Sequence, residues 1–321
     1  MTAHHDIAAV VIGRNEGARL QACLDALAGQ VARVIYVDSG SHDGSQAAAQ
    51  ARGAEVVALD MTQPFTAARA RNAGLARLRE APDRPAFVQF LDGDCVLQPG
   101  WLDVARAFLL ANPQAGAACG RRRERFAEAS RYNRLIDAEW DTPPGRARSC
   151  GGDVLMRMAA LDEVGGYNPS LIAGEEPELC VRLRARGWEI WRLDAEMALH
   201  DAAMTRFGQW WQRVRRGGYA YAEGVALHGA APERHCVPEL RRLVLWGMVL
   251  PLAVVLGALL TPWALLLLLA WPAQVLRLRA RGMPWEQALF LTLAKLPEAQ
   301  GALTYWWRRL RGTQARLIEY K

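Results

Sequence analysis

The chain has 321 residues and a formal charge of +6, room for one large α/β domain and a smaller module. Of its basic residues only Lys295 and Lys321 are lysines. Arginine suits phosphates and anionic headgroups, and a GC-rich codon bias explains its excess equally well. Cys23, Cys95, Cys119, Cys150, Cys180 and Cys236 lack Cys-x-x-Cys or zinc-like spacing. They read as core or surface residues in a reducing compartment. The polar start, Met1 to Asp6, predicts no secretory signal.

Ile7 to Ile12 is a continuous apolar run of strand length, followed by Arg14-Asn15-Glu16-Gly17. Leu20, Leu24 and Leu27 recur at helical spacing, predicting a helix from about residue 16 to the stop at Gly29. Val34 to Val37 reads as a second strand ending in Asp38. That acid is a candidate acceptor for a nucleotide base or ribose, or the start of a turn, while Asp43 or Ser45 caps the next helix. A strand at 55–59 and a helix at about 64–79 continue the alternation. That helix carries Arg69, Arg71 and Asn72, with Arg69 and Asn72 on one face, either as a solvated basic face or as contacts to a base or the diphosphate. Neither Gly-x-Gly-x-x-Gly after the first strand nor Gly-x-x-x-x-Gly-Lys occurs, which argues against dinucleotide oxidoreductases and P-loop enzymes. The pattern predicts a doubly wound, mostly parallel α/β sheet flanked by helices.

Phe87 to Leu91 is a strand that ends in Asp92-Gly93-Asp94. Acids there stand at the carboxyl end of a strand, where open α/β sheets place ligands. In an extended segment they project to one side and suit a hard divalent cation carrying a diphosphate. An ordinary turn is the competing reading. A helix to about Leu110 and a small-residue strand at 115–120 follow. Residues 121–148, with Arg121-Arg122-Arg123 and Pro143-Pro144, read as a loop-rich insertion on the open side of the sheet. Gly151-Gly152 permits close backbone approach to a ligand, or marks a bulge. Pro177 fits the first turn of a helix that runs to Arg186. Glu176 then sits at its start, as a proton acceptor favoured by the helix dipole or as a plain cap. His200 follows a strand at 188–193. The aromatic and basic stretch 207–219, including Arg213, suits a ring and a phosphate, or a membrane surface.

Leu243 to Leu276 contains no charged residue. One straight span needs about 20 residues, so a hairpin folded near Thr261-Pro262 is expected, each arm slightly short. Arg241 and Arg242 before it and Arg277, Arg279 and Arg281 after it place both ends in the cytoplasm. Residues 285–311 read as an amphipathic helix in the headgroup region, kinked at Pro297.

Val11-Ile12-Gly13-Arg14-Asn15-Glu16, Val37-Asp38-Ser39-Gly40-Ser41, Asp92-Gly93-Asp94, Gly151-Gly152, Val164-Gly165-Gly166-Tyr167, Gly174-Glu175-Glu176 and His200 cover about residues 7 to 220. In order and spacing the chain resembles the inverting glycosyltransferases of family 2. The resemblance implies a GT-A, Rossmann-like fold, a nucleoside-diphosphate sugar donor (UDP-sugar favoured) and Mn²⁺ or Mg²⁺. It implies base or ribose contact for Asp38, metal binding for Asp94 with Asp92 supporting it or the ribose, and completion of the metal site by His200. The family's usual base is the second acid of a Glu-Asp pair, which points to Glu176, with Glu175 as the alternative. Arg14, Asn15, Glu16, Arg69, Asn72, Gly151, Gly152 and Arg213 complete the expected donor contacts. Residues 209–213 match only part of the Gln-x-x-Arg-Trp motif of processive synthases, so processive synthesis is not expected.

The expected organisation is a catalytic domain at 1–222, a linker at 223–240, a transmembrane or re-entrant hairpin at 241–281 and an interfacial helix and tail at 282–321. The expected activity is sugar transfer to a lipid-linked or membrane-presented acceptor on the cytoplasmic side of a bacterial inner membrane. Transfer to a polyprenyl phosphate and a non-catalytic scaffold are the alternatives. Membrane lipids are expected partners and nucleic acid is not.

Overall fold

The apolar runs at Ile7–Ile12 and Phe87–Leu91 become neighbouring central strands, buried on both faces as parallel sheets require. The computed structural model describes residues 4–313 and 318. Contacts divide the chain into two units: Met1–Ala129 with Ile136–Ala203, and Ser130–Leu135 with Met204–Lys321.

Among the described residues the first unit holds one mixed sheet. Its strands are β1 (His4–Gly13), β2 (Val31–Asp38), β3 (Glu55–Ala58), β4 (Phe87–Asp92), β5 (Cys95–Leu97), β6 (Ala115–Glu124), β7 (Gly145–Arg146), β8 (Val154–Arg157) and β9 (Glu189–His200). Their order is β3-β2-β1-β4-β8-β6-β9-β5, with β7 on β9. The helices are α1 (Ala18–Leu27), α2 (Ser45–Gln50), α3 (Ala67–Arg79), α4 (Trp101–Ala111), α5 (Arg131–Glu139), α6 (Met158–Glu163) and α7 (Glu175–Ala185).

The parallel arrangement holds for β3-β2-β1-β4 and for β6 with β9. Elsewhere the sheet is antiparallel, which narrows the mostly parallel expectation.

The expected loop-rich insertion at 121–148 is largely regular structure. β6 continues to Glu124, α5 follows, and β7 pairs with β9. The arginine run forms a strand because each member has its own carboxylate: Arg121 meets Asp137, Arg122 meets Asp153 and Arg123 meets Glu196.

In the second unit α8 (Phe207–His228) runs unbroken through residues 222 and 223, so the expected domain-to-linker boundary falls inside a helix. Two apolar helices follow, Val237–Leu260 and Pro262–Ala280, separated by an extended residue at Thr261. They have 24 and 19 residues, longer than the arms anticipated, because the first begins before the uncharged run. A wider π-helical turn at Leu245–Val249 precedes Pro251, whose missing N–H breaks the regular ladder.

The amphipathic stretch beyond residue 282 is two helices, Trp285–Leu293 and Lys295–Arg311. Pro297 lies in the first turn of the second, where no N–H is required of it. One face of that helix, with Ala299, Gly301, Ala302 and Tyr305, is buried against α8, and Leu303, Trp307 and Leu310 are exposed. The tail at 314–317 and 319–321 lies outside the described residues.

Candidate active site

The register of the central strands brings their carboxyl ends level. Gly13 lies opposite Asp38 and Ile12 opposite Asp92. Beyond that edge Gly93 donates to Ile12 O at 2.8 Å, continuing the pairing with β1, and the chain turns at Gly93-Asp94 between β4 and β5. Asp92-Gly93-Asp94 is therefore both a turn and a carriage for two acids, and Asp94 rides on the turn itself.

β5 runs antiparallel to β9 and sets Cys95 opposite His200. Asp94 is almost fully buried, with Oδ2 3.5 Å from His200 Nε2. Ligating atoms of Asp94, Cys95 and His200 lie within 4.8 Å of one another. One hard carboxylate and one imidazole fit a divalent cation of the manganese type. Behind the histidine, Glu124 Oε2 stands 3.0 Å from Nδ1. The Trp140 ring meets the imidazole edge to face at 4.8 Å and carries the Arg122 guanidinium on its face at 3.8 Å.

Asp92 takes a different partner. Its Oδ1 accepts from Arg71 Nη2 at 2.8 Å, and it stands outside the cluster of Asp94, Cys95 and His200. Arg71 also donates to Glu175 Oε1 at 2.6 Å. Burial pushes the Asp92 carboxyl up, Asp153 and Asp94 add to the rise, and Arg71 opposes it. The same burial opposes the Arg71 charge, but Asp92 and Glu175 outweigh it and hold the guanidinium protonated. Asp153 stands behind both, accepting from Asp92 N at 3.0 Å and from Arg122 at 3.0 Å. Gly152 closes this wall with φ +103°, and a Cβ there would lie 3.0 Å from Arg71 Nη2. Gly151 adopts φ +90° beside it.

The two adjacent acids separate. Glu176 is buried, with one oxygen accepting from Cys150 N and the other from Gly151 N, each at 2.9 Å. It clamps the glycine loop with both oxygens, the position from which the expected base would have to act. The rotation of about 100° per helical residue explains the split. Glu175 is partly exposed and its Oε2 makes no hydrogen bond.

The remaining candidates organise loops. Asp38 is fully enclosed, accepting from Tyr36, Gly40, Ser41 and Gln46. Burial raises its carboxyl, and these hydrogen bonds prevail and hold it below its ordinary value. Its oxygens shape the 39–46 loop beside the strand end. Asn15, at φ +55°, ties the first loop to the second through Ser41 Oγ and His42 N. Arg14 is exposed on the first loop, and Glu16 pairs with Arg19 at 2.7 Å. Arg69 folds back on Asp60, Gln63 and Pro64 carbonyls, and Asn72 pairs twice with the Tyr167 backbone. Neither points to the acids. Arg213 belongs to α8 in the second unit and is not among the residues that converge in the first.

Arg122, Glu124, Trp140 and Asp153 were given no site role by the sequence, and Arg71 was read only together with Arg69 and Asn72. Asp153 directly follows the glycine pair, and a period of two within the basic run sets Arg122 and Glu124 on one side of β6. Those were the available signals.

A sheet that gathers acids, a histidine and a glycine loop beyond its strand ends is the plan of the GT-A glycosyltransferases. Solved structures share it. A mannosyltransferase, PcManGT from Pyrobaculum calidifontis, in complex with GDP-Man and Mn²⁺, has TM-score 0.62 at 18% identity, over 95% of this chain and 88% of that one. Glucosyl-3-phosphoglycerate synthase from Mycobacterium tuberculosis, in complex with Mn²⁺, UDP-glucose and glycerol 3-phosphate, has TM-score 0.52 at 19% identity, over 71% and 82%. Residues 9–159 match the family model for Glycosyl transferase family 2. The succinoglycan biosynthesis protein ExoA of Rhizobium meliloti (strain 1021) is 26% identical over 274 residues, 81% of this chain and 78% of that protein. The chain is a glycosyltransferase whose residues 9–159 match the Glycosyl transferase family 2 model.

Proposed function

We propose that the chain is a metal-dependent inverting glycosyltransferase. It moves a sugar from a nucleoside-diphosphate donor, a UDP-sugar by preference, to a lipid-linked or membrane-presented acceptor for bacterial envelope or extracellular glycan. The observation that carries this reading is the close approach of Asp94 to His200 in a chain that also exposes two apolar helices. GDP-mannose and UDP-glucose in the similar structures, and succinoglycan biosynthesis in the ExoA relative, support the donor class and the product class.

Asp94 and His200 would hold Mn²⁺ or Mg²⁺, which would supply positive charge to steady the departing nucleoside diphosphate. Arg71, fixed between Asp92 and Glu175, adds a buried cation at the same wall. Gly152 keeps that wall free of a side chain, so a diphosphate can approach the backbone. Glu175 Oε2 takes the proton of the acceptor hydroxyl. The hydroxyl oxygen then attacks the anomeric carbon opposite the leaving diphosphate, inverting it. Each apolar helix is long enough to cross a bilayer and only 6% of its apolar stretch is buried. With arginines at both ends, the hairpin enters from the cytoplasmic side of the inner membrane.

Detergent-purified protein tests this with sugar nucleotides, Mn²⁺ or EDTA, and a membrane-lipid extract. Metal-dependent transfer of sugar into the lipid fraction supports the proposal; folded protein that neither transfers nor hydrolyses any donor favours a scaffold. A second reading has its own observation. Glu176 is taken up by the glycine loop and Glu175 by Arg71, an arrangement that an already anionic polyprenyl phosphate tolerates. An unchanged rate in Glu175→Gln favours that acceptor.

A further inference from the structure

We infer that Glu124 is the positioning residue that fixes His200 as a metal ligand through Nε2. The inference rests on the metal-dependent reading above and extends it to a residue outside every recognised motif of the site.

Glu124 closes β6 directly opposite His200, the last residue of β9. It is buried, and its Oε2 lies 3.0 Å from His200 Nδ1. The remaining contacts hold the carboxylate still. Ala202 N donates to both oxygens, at 3.3 and 3.1 Å, and Phe126 N to Oε1 at 3.4 Å. Its own backbone N–H is bound by Asp137 Oδ1 at 2.8 Å, and Asp137 is in turn fixed by Arg121.

A carboxylate on one ring nitrogen keeps the proton there, so the other nitrogen carries the lone pair. Here that other nitrogen is Nε2, which faces Asp94 Oδ2. Carboxylate, imidazole and cation in line are the usual outer support of a metal-bound histidine, and losing the carboxylate weakens metal binding about 10–100-fold. Trp140 packed against the imidazole restrains the ring from flipping.

The test is a double-mutant cycle on the detergent-purified full chain, reading Mn²⁺ affinity by electron paramagnetic resonance of free Mn²⁺ in the presence of UDP. Glu124→Gln keeps the volume and one acceptor oxygen. The expected result is Mn²⁺ binding weakened about 10-fold or more, with the metal-free unfolding midpoint close to that of the parent. In a His200→Ala background the same substitution should add nothing, because Glu124 acts only through the imidazole. Glu124→Asp should recover part of the affinity. Equal weakening in both backgrounds marks a merely structural role and overturns the inference, as does unchanged affinity in Glu124→Gln alone. Should His200→Ala itself leave Mn²⁺ binding intact, His200 is not a ligand and the inference falls while metal dependence stands; should the parent chain bind no Mn²⁺ at all, the metal-dependent reading itself falls.

Discussion

Arg71 touches Asp92 and Glu175 with a single guanidinium and is nearly without exposure. Removing one member of a buried ionic set leaves uncompensated charge, at about 3–5 kcal/mol. Arg71→Ala is expected to cost that much in thermal or denaturant unfolding, and Arg71→Lys less but still measurably, since lysine lacks the fork. A wild-type midpoint in Arg71→Ala would contradict the hub. Gly152→Ala forces a Cβ towards Arg71 at a backbone angle that costs about 1–3 kcal/mol. It should lower both stability and donor affinity, read by unfolding and nucleotide titration. For the adjacent acids, Glu175→Gln should reduce kcat about 100-fold or more. Glu176→Gln should instead raise the donor KM and lower stability, and the reverse pattern would return the base to Glu176. None of these pairs was legible in the chain. Asp92 and Arg71 are joined by the packing of α3 on the sheet, and two neighbouring glutamates differ only by helical rotation.

At the scale of elements, period and punctuation carried far. The strands β1, β2, β3 and β4 and helices α1, α3 and α7 lie close to where apolar spacing, glycine and proline placed them. The arginine-rich stretch after β6 was misread because a charge run looks like a loop until each charge has a partner, and those partners come from distant segments. The glycines of α8 and the last helix hold a similar lesson. A Cβ on Gly218 would lie 2.0 Å from Glu298 O, and one on Gly301 2.0 Å from Arg215 O. Gly301→Val should destabilise the second unit by about 1–3 kcal/mol or more through overpacking; an unchanged unfolding midpoint would contradict that close packing.

Glu223 on α8 offers a pH signature. Its buried Oε2 has no partner, and burial pushes the carboxyl up to about 7. Since the folded value exceeds the unfolded one of about 4.3, the folded state holds the proton more tightly. Stability is then lost as pH rises between those values. Glu223→Gln should raise the unfolding midpoint at pH 8 and leave it nearly unchanged at pH 4. An equal shift at both would assign the effect to packing.

For the whole molecule, the length of the uncharged run and its central Thr261-Pro262 foretold two apolar segments, and the helices break at Thr261. The division between units was less legible. Residues 130–135 group with the C-terminal unit while the rest of α5 groups with the first, so one helix crosses the boundary. A hairpin that spans the bilayer should place a reporter inserted at Thr261 in the periplasm and one after residue 313 in the cytoplasm. A reporter at Thr261 that stays cytoplasmic indicates a re-entrant loop.

The central claim is that the edge formed by Asp92, Asp94, His200 and the Gly151-Gly152 loop binds a nucleoside diphosphate with a divalent cation. The most direct measurement is a thermal-shift panel on detergent-purified protein with UDP, GDP, CMP and NAD, each with Mn²⁺ or with EDTA. A ligand at a hundred times its dissociation constant stabilises the folded state by about 2.7 kcal/mol. The account predicts a shift with UDP that disappears in EDTA and is lost in Asp94→Asn and His200→Ala. No shift with any nucleoside diphosphate, in protein that unfolds cooperatively, would contradict it.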